Sequence, residues 1–242
     1  MSLPPSLCAV LAFLLFPQAA PSSPGAATQA PAYKMVTYQL VMLKKGPSAG
    51  LVSTPNGQSI LKEHVAYLYK LAADGTNMAA GPFTDGGEIQ GIAILKASTP
   101  DQAREIESSD PAVKAGIFTM DIAPFMAPEG WFGKWAEFGK FETVFFGFLN
   151  SGPNRSQDPE TAKRLQAEHL AYMEGQSKEG KLAVAGPFTV DGPRRGIVVY
   201  RVPGADEAKK RAEGDPMIKA GRLVVDLHPW QVPVGALPKP AN

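Results

Sequence analysis

Apolar and polar positions alternate along this chain in two rhythms, and the same succession of rhythms occurs twice. Residues 35–43 (MVTYQLVML) are rich in β-branched and aromatic side chains and read as a strand, with 142–149 (ETVFFGFL) as the counterpart. Over 59–73, Ile60, Tyr67, Leu68 and Leu71 recur at helical spacing, and 160–178 carries Leu165, Tyr172 and Met173 in the same way. Gly75 and Gly180 stand where each helix should stop. A short strand then runs into each Gly-Pro-Phe, at 81–83 and 186–188, and a turn leads to second short strands at 91–97 and 196–202. Short polar helices near 99–108 and 204–213, and final strands over 117–125 and 222–230, complete each set. The order βαββαβ predicts an α+β fold of ferredoxin-like units.

The two sets are a true internal repeat. Residues 55–125 align with 160–230 without a gap at an offset of 105, and 22 of the 71 positions are identical. The identities cluster: Glu63-His64-x-Ala66-Tyr67 with Glu168-His169-x-Ala171-Tyr172, Ala-Gly-Pro-Phe-Thr at 80–84 and 185–189, and Asp-Pro-x-x-Lys-Ala-Gly at 110–116 and 215–221. A four-stranded sheet with helices on one face leaves its other face uncovered, so two units in one chain predict a pseudo-dimer packed sheet on sheet. The expected division is a leader at 1–32, units at 33–125 and 142–232, a connector at 126–141 and a proline-rich, irregular tail at 233–242.

The connector holds Trp131, Phe132, Trp135, Phe138 and Phe141. Flexible linkers lack such residues, so it should dock, either filling a groove between the units or walling a ligand pocket. The first 32 residues contain no charged side chain, and residues 7–16 form an apolar run too short to span a bilayer but suited to a signal-peptide core. Export to the periplasm or medium is therefore expected, with no membrane span elsewhere. The sole cysteine, Cys8, falls in that leader, which removes thiol chemistry, disulfides and cysteine metal sites from the mature chain. With 24 basic against 23 acidic residues the net charge is +1, which argues against nucleic acid as a partner and leaves a small-molecule ligand or substrate.

Candidate chemistry centres on the histidines. His64 shares the stripe of Tyr67 and Leu71, and His169 that of Tyr172, so both face the sheet. Each is either a proton carrier near neutral pH or a buried histidine satisfied by a structural partner. Asp110 and Asp215 precede proline, where they either cap a turn or orient the imidazole. Asp85 and Asp191 lie in the hairpin turn after each Gly-Pro-Phe, one place out of step with each other; they either serve the turn or bind substrate, and in the second case the two sites are not equivalent. Phe83 and Phe188 either line a pocket or fill core, and the hydroxyls of Tyr67 and Tyr172 either enter a pocket or pack. Gly81 and Gly186 read as architectural, permitting close backbone approach. One histidine and one aspartate per unit are too few for zinc, and no metal or cofactor is expected. His228 has no duplicate, its counterpart being Ala123.

In these motifs the chain resembles the YCII-related family. The resemblance covers about 35–125 and 142–230. It implies a dimeric α+β barrel and a pocket in each unit in which His64 with Asp110, and His169 with Asp215, form acid–base pairs. A member similar to this chain is a dehydrochlorinase of a chlorinated hydroxyhydroquinone, and relatives of the barrel include muconolactone isomerases and small monooxygenases. The resemblance thus implies a cofactor-independent lyase or isomerase; the alternative is a non-catalytic secreted binding or structural duplication. The chain departs from the commonest pattern in its tandem fusion, its leader and its unequal hairpin turns.

Overall fold

The computed structural model describes residues 34–135, 139–155 and 158–238. The expected leader at 1–32, Cys8, Phe138 and the last four residues of the tail lie outside them. In the first unit β1 (Met35–Lys45) leads through a 3-10 turn to α1 (Pro55–Ala73), β2 (Asn77–Pro82), β3 (Ile89–Leu95), α2 (Pro100–Glu107), α3 (Pro111–Lys114) and β4 (Phe118–Pro128). The second unit repeats this as β5 (Phe141–Ser151), α4 (Pro159–Lys178), β6 (Leu182–Pro187), β7 (Arg194–Tyr200), α5 (Ala205–Glu213), α6 (Pro216–Lys219) and β8 (Leu223–Pro233). The sheets are antiparallel, in the orders β2-β3-β1-β4 and β6-β7-β5-β8, so each is a ferredoxin-like unit as predicted.

Local chemistry sets the boundaries. α1 starts at Thr54, whose hydroxyl accepts from the Gly57 amide, with Pro55 in the first turn. α4 starts the same way at Asp158 and Pro159. Gly75 and Gly180 follow the helix ends with φ of 81° and 68°, the left-handed conformation that closes a helix cheaply only with glycine. The one-turn helices α3 and α6 were not expected. Asp110 and Asp215 cap them, and Pro111 and Pro216 supply the fixed φ of the first turn.

Alternation sorts each sheet. In β1, Tyr38, Leu40 and Met42 face the opposite sheet and join one core with Phe146, Phe148, Val199 and Trp230 of the second unit. Val41 and Leu43 face the helices, with Ala93 and Leu95. The two units thus form one dimeric α+β barrel within a single chain.

The barrel closes where β2 meets β8 and β6 meets β4. Phe83 bridges Trp230, and Phe188 bridges Phe125. The Thr84 amide donates to the Pro229 carbonyl at 3.0 Å, and the Thr189 amide to the Pro124 carbonyl at 2.9 Å. A Cβ on Gly81 would stand 1.8 Å from the Gln231 oxygen, and one on Gly186 would stand 2.0 Å from the Met126 oxygen. The glycine of each Gly-Pro-Phe therefore lets two strands touch across the seam.

The connector is docked. Trp131, Phe132 and Trp135 are buried in the shared core, and the Trp135 indole donates to the Met78 carbonyl at 3.0 Å. The described part of the tail is irregular but also docked, with Ala236 and Leu237 buried and the Gly133 amide donating to Ala236.

Candidate active site

Each unit brings one histidine and one aspartate together. His64 lies mid-way along α1, on the face turned to the sheet, and Asp110 sits at the start of α3, which packs against α1. His64 Nδ1 and Asp110 Oδ2 are 2.6 Å apart, and His169 Nδ1 and Asp215 Oδ2 also 2.6 Å. The aspartates are buried, and their other oxygens accept from backbone amides: Asp110 Oδ1 from Ala112 at 2.7 Å, Asp215 Oδ1 from Met217 at 2.8 Å. One oxygen caps the short helix, and the other faces the imidazole.

A carboxylate that already accepts backbone amides is held as an acceptor, so Nδ1 carries the proton and donates it to Oδ2. The Nε2 lone pair is then left on the far side of the ring. His64 lines a cavity of about 290 Å³ between α1 and the sheet. Leu61, Val65, Leu68 and Tyr69 form the helix wall, Ala80, Gly91 and Ala93 the sheet floor, and Trp135, Phe141 and Pro233 close the side. The wall is nearly all apolar, with Gln90 a polar exception besides the imidazole itself. Trp135 thus serves both connector readings, as a docked anchor and as a wall of the cavity. The Phe118 ring packs edge-on to His64, 5.5 Å between centroids.

The remaining predicted residues go elsewhere. Tyr67 Oη donates to the Ile106 carbonyl at 2.7 Å, and Tyr172 Oη to the Arg211 carbonyl at 2.7 Å. These hydroxyls tie the long helices to α2 and α5, and Tyr67 does not line the cavity. Phe83 and Phe188 are buried at the seams and fill core. Asp191 is exposed on its hairpin. Asp85 meets His228 of the second unit, Oδ2 to Nδ1 at 2.6 Å. Burial works to raise its pKa, yet the bonds from His228 and the Gly87 amide prevail and hold it below the usual aspartate range. Among the described residues no three metal-ligating side chains converge.

Sequence reasoning passed over two groups. One is His228, whose ring stacks on Phe83 with centroids 4.6 Å apart and planes 4° from parallel. The other is Glu107, fully buried at the end of α2. Its position four residues after buried Ala103 was a readable signal, since that spacing puts both on one helix face.

The chain is similar to chlorite dismutase from Candidatus Nitrospira defluvii. To a point variant of that protein it has a TM-score of 0.54 at 10% identity, covering 82% of this chain and 91% of that one. To the imidazole complex it has 0.53 at 9% identity, covering 80% and 90%. At such identities the likeness shows the fold alone. A 5-chloro-2-hydroxyhydroquinone dehydrochlorinase from Burkholderia phenoliruptrix AC1100 is 23% identical over 35% of this chain and 89% of its own, with a TM-score of 0.29. No curated protein matches the chain. The family model of the YCII-related domain matches twice, over residues 39–126 and 146–231, so the two His–Asp pairs sit in two copies of one domain and the chain belongs to the YCII-related family.

Proposed function

We propose that the chain is a small-molecule enzyme of the lyase or isomerase kind, in which His64 moves a proton and Asp110 orients the ring and stabilises the charged form that results. The observation that carries this is the 2.6 Å His64–Asp110 contact on the wall of an apolar cavity of about 290 Å³. Asp110 fixes the proton on Nδ1, so Nε2 accepts a proton from a substrate C–H or O–H and returns it to a neighbouring atom or to the leaving group. The imidazolium formed is stabilised by the carboxylate behind it. An apolar wall suits a flat, mostly carbon substrate whose acidity is its own, such as a phenol or a lactone, and strengthens the electrostatics of the pair. His169 and Asp215 repeat the same geometry and are the second candidate base.

The test is solvent-proton exchange. Aromatic acids, phenols and lactones are incubated with the protein in deuterated water and followed by NMR. Exchange or turnover that the His64→Ala variant loses supports the proposal. Ligands that bind at the cavity without exchange would make the chain a non-catalytic binding protein. We also infer export from the charge-free apolar leader; a full-length chain recovered uncleaved from the cytoplasm would overturn it.

A further inference from the structure

The two His–Asp pairs match in geometry but not in what lies behind them. Glu107 ends α2, and its main-chain carbonyl accepts from the Asp110 amide at 3.0 Å, so its Cα is fixed one turn before the dyad aspartate. Its side chain is fully buried, and neither carboxyl oxygen has a hydrogen-bond partner among the described residues. A buried carboxyl with no partner is among the most costly groups a fold can hold, and it must carry a proton to be tolerated. The second unit has Ala212 in its place, also fully buried, so the domain folds without this acid.

The surroundings of Glu107 define what it can sense. α2 packs on β1 and β4, whose helix-facing residues are the apolar Val41, Leu43, Phe118, Met120 and Ile122 and the buried amide Gln39. The ionisable groups that act on one another here are Asp110 and Tyr67, with His64 joined through Asp110. Tyr67 already donates to Ile106. Among the described residues no salt bridge joins Glu107 to a cation, and Asp110 is the one charge that acts on it.

We propose that Glu107 is a positioning residue of the first site, a stored proton behind Asp110 that couples to His64 and makes the two dyads titrate differently. Burial, and secondarily the charge of Asp110, push its pKa up to about 8. Below that value Asp110 faces a neutral neighbour. Above it Glu107 releases its proton to solvent, and the second negative charge favours the imidazolium form of His64. The second unit has Ala212 in that place, so no carboxyl stands behind Asp215 there. As a catalytic tuning device this rests on the proton-transfer reading above; as a charge property it is read without any substrate.

The experiment is a pH titration of the histidine ring signals of the full chain by NMR, in the wild type and in Glu107→Gln. The amide keeps the shape of the side chain and cannot ionise. In the wild type, His64 should show a second inflection near the Glu107 pKa that His169 lacks, and in Glu107→Gln the second inflection should vanish. A single inflection for His64 in the wild type, or one that survives the substitution, overturns the proposal. Infrared spectroscopy of the wild type provides a check that needs no variant. A protonated-carboxyl stretch present at neutral pH and lost in mild alkali is expected, and its absence at neutral pH would be equally fatal. A coupled His64 in a protein without turnover would sink the enzyme reading and leave this one standing.

Discussion

His228 of the second unit and Asp85 of the first meet at 2.6 Å, Nδ1 to Oδ2, across the seam where β2 touches β8. The ring is held from one side by Phe83, stacked on it, and from another by Phe148, edge-on at 5.7 Å. Its Nε2 lies 3.3 Å from Asp226 Oδ2, though without hydrogen-bond geometry. The contact joins residues 143 positions apart, so it reports on whether the two units are docked.

Asp85 is held below its usual pKa by a partner that exists only in the folded state, so the folded chain binds fewer protons there than the unfolded chain. The stability this gives is present above the ordinary aspartate pKa and is lost as pH falls through the lower folded value. Asp85→Asn should lower stability by about 1 kcal/mol at neutral pH, a modest figure because the carboxyl is partly exposed. Denaturant curves of variant and wild type should converge in strong acid.

Glu107 has the opposite sign. Burial pushes its pKa up to about 8 from the ordinary 4.5, so between those values the folded chain keeps a proton the unfolded chain has released. Stability is highest below that window and falls by roughly 1.4 kcal/mol per pH unit through it. Glu107→Leu should remove this slope and raise stability most in mild alkali, measured by denaturant unfolding at several pH values.

Asp110→Asn should separate its two duties. Asparagine is as good a helix cap as aspartate, so α3 survives and the loss of stability stays near 1 kcal/mol. The neutral amide no longer fixes the proton on His64 Nδ1, and the Nε2–H tautomer should grow, visible in the nitrogen shifts of the ring. If His64 supports turnover, the rate should fall about 100-fold or more.

Gly81→Ala should be among the most damaging single substitutions. The new methyl group would overlap the Gln231 carbonyl at 1.8 Å, and the neighbours are backbone and a buried indole, which cannot swing aside. A loss of about 3 kcal/mol or more is expected in thermal or denaturant unfolding. Gly75→Ala, strained only by its φ, should cost about 1 kcal/mol.

Much of this was legible in the residues because the repeat doubled every signal. The His64 and His169 stripes gave the buried face, and the glycines of Gly-Pro-Phe marked the close approach now seen at both seams. What escaped shows where pattern stops. A helical stripe tells which side Tyr67 is on, but not that its hydroxyl reaches past the cavity to Ile106. Asp85 stands in a turn, where aspartate serves local turns, and nothing local points to a partner in the other unit. His228 has no duplicate, and a repeat marks what both units need but not what only one seam carries. Glu107 hid for the same reason, with Ala212 as its copy.

The seams have a consequence for how this protein can vary. Were the barrel built from two identical chains, each residue at one seam would be written at the other as well, and every substitution would act in double dose. Covalent fusion lifts that constraint. One seam now carries Asp85 and His228, while the equivalent positions of the other are Val190 and Ala123. Each junction, and each site behind it, can be altered singly while its twin keeps the molecule closed.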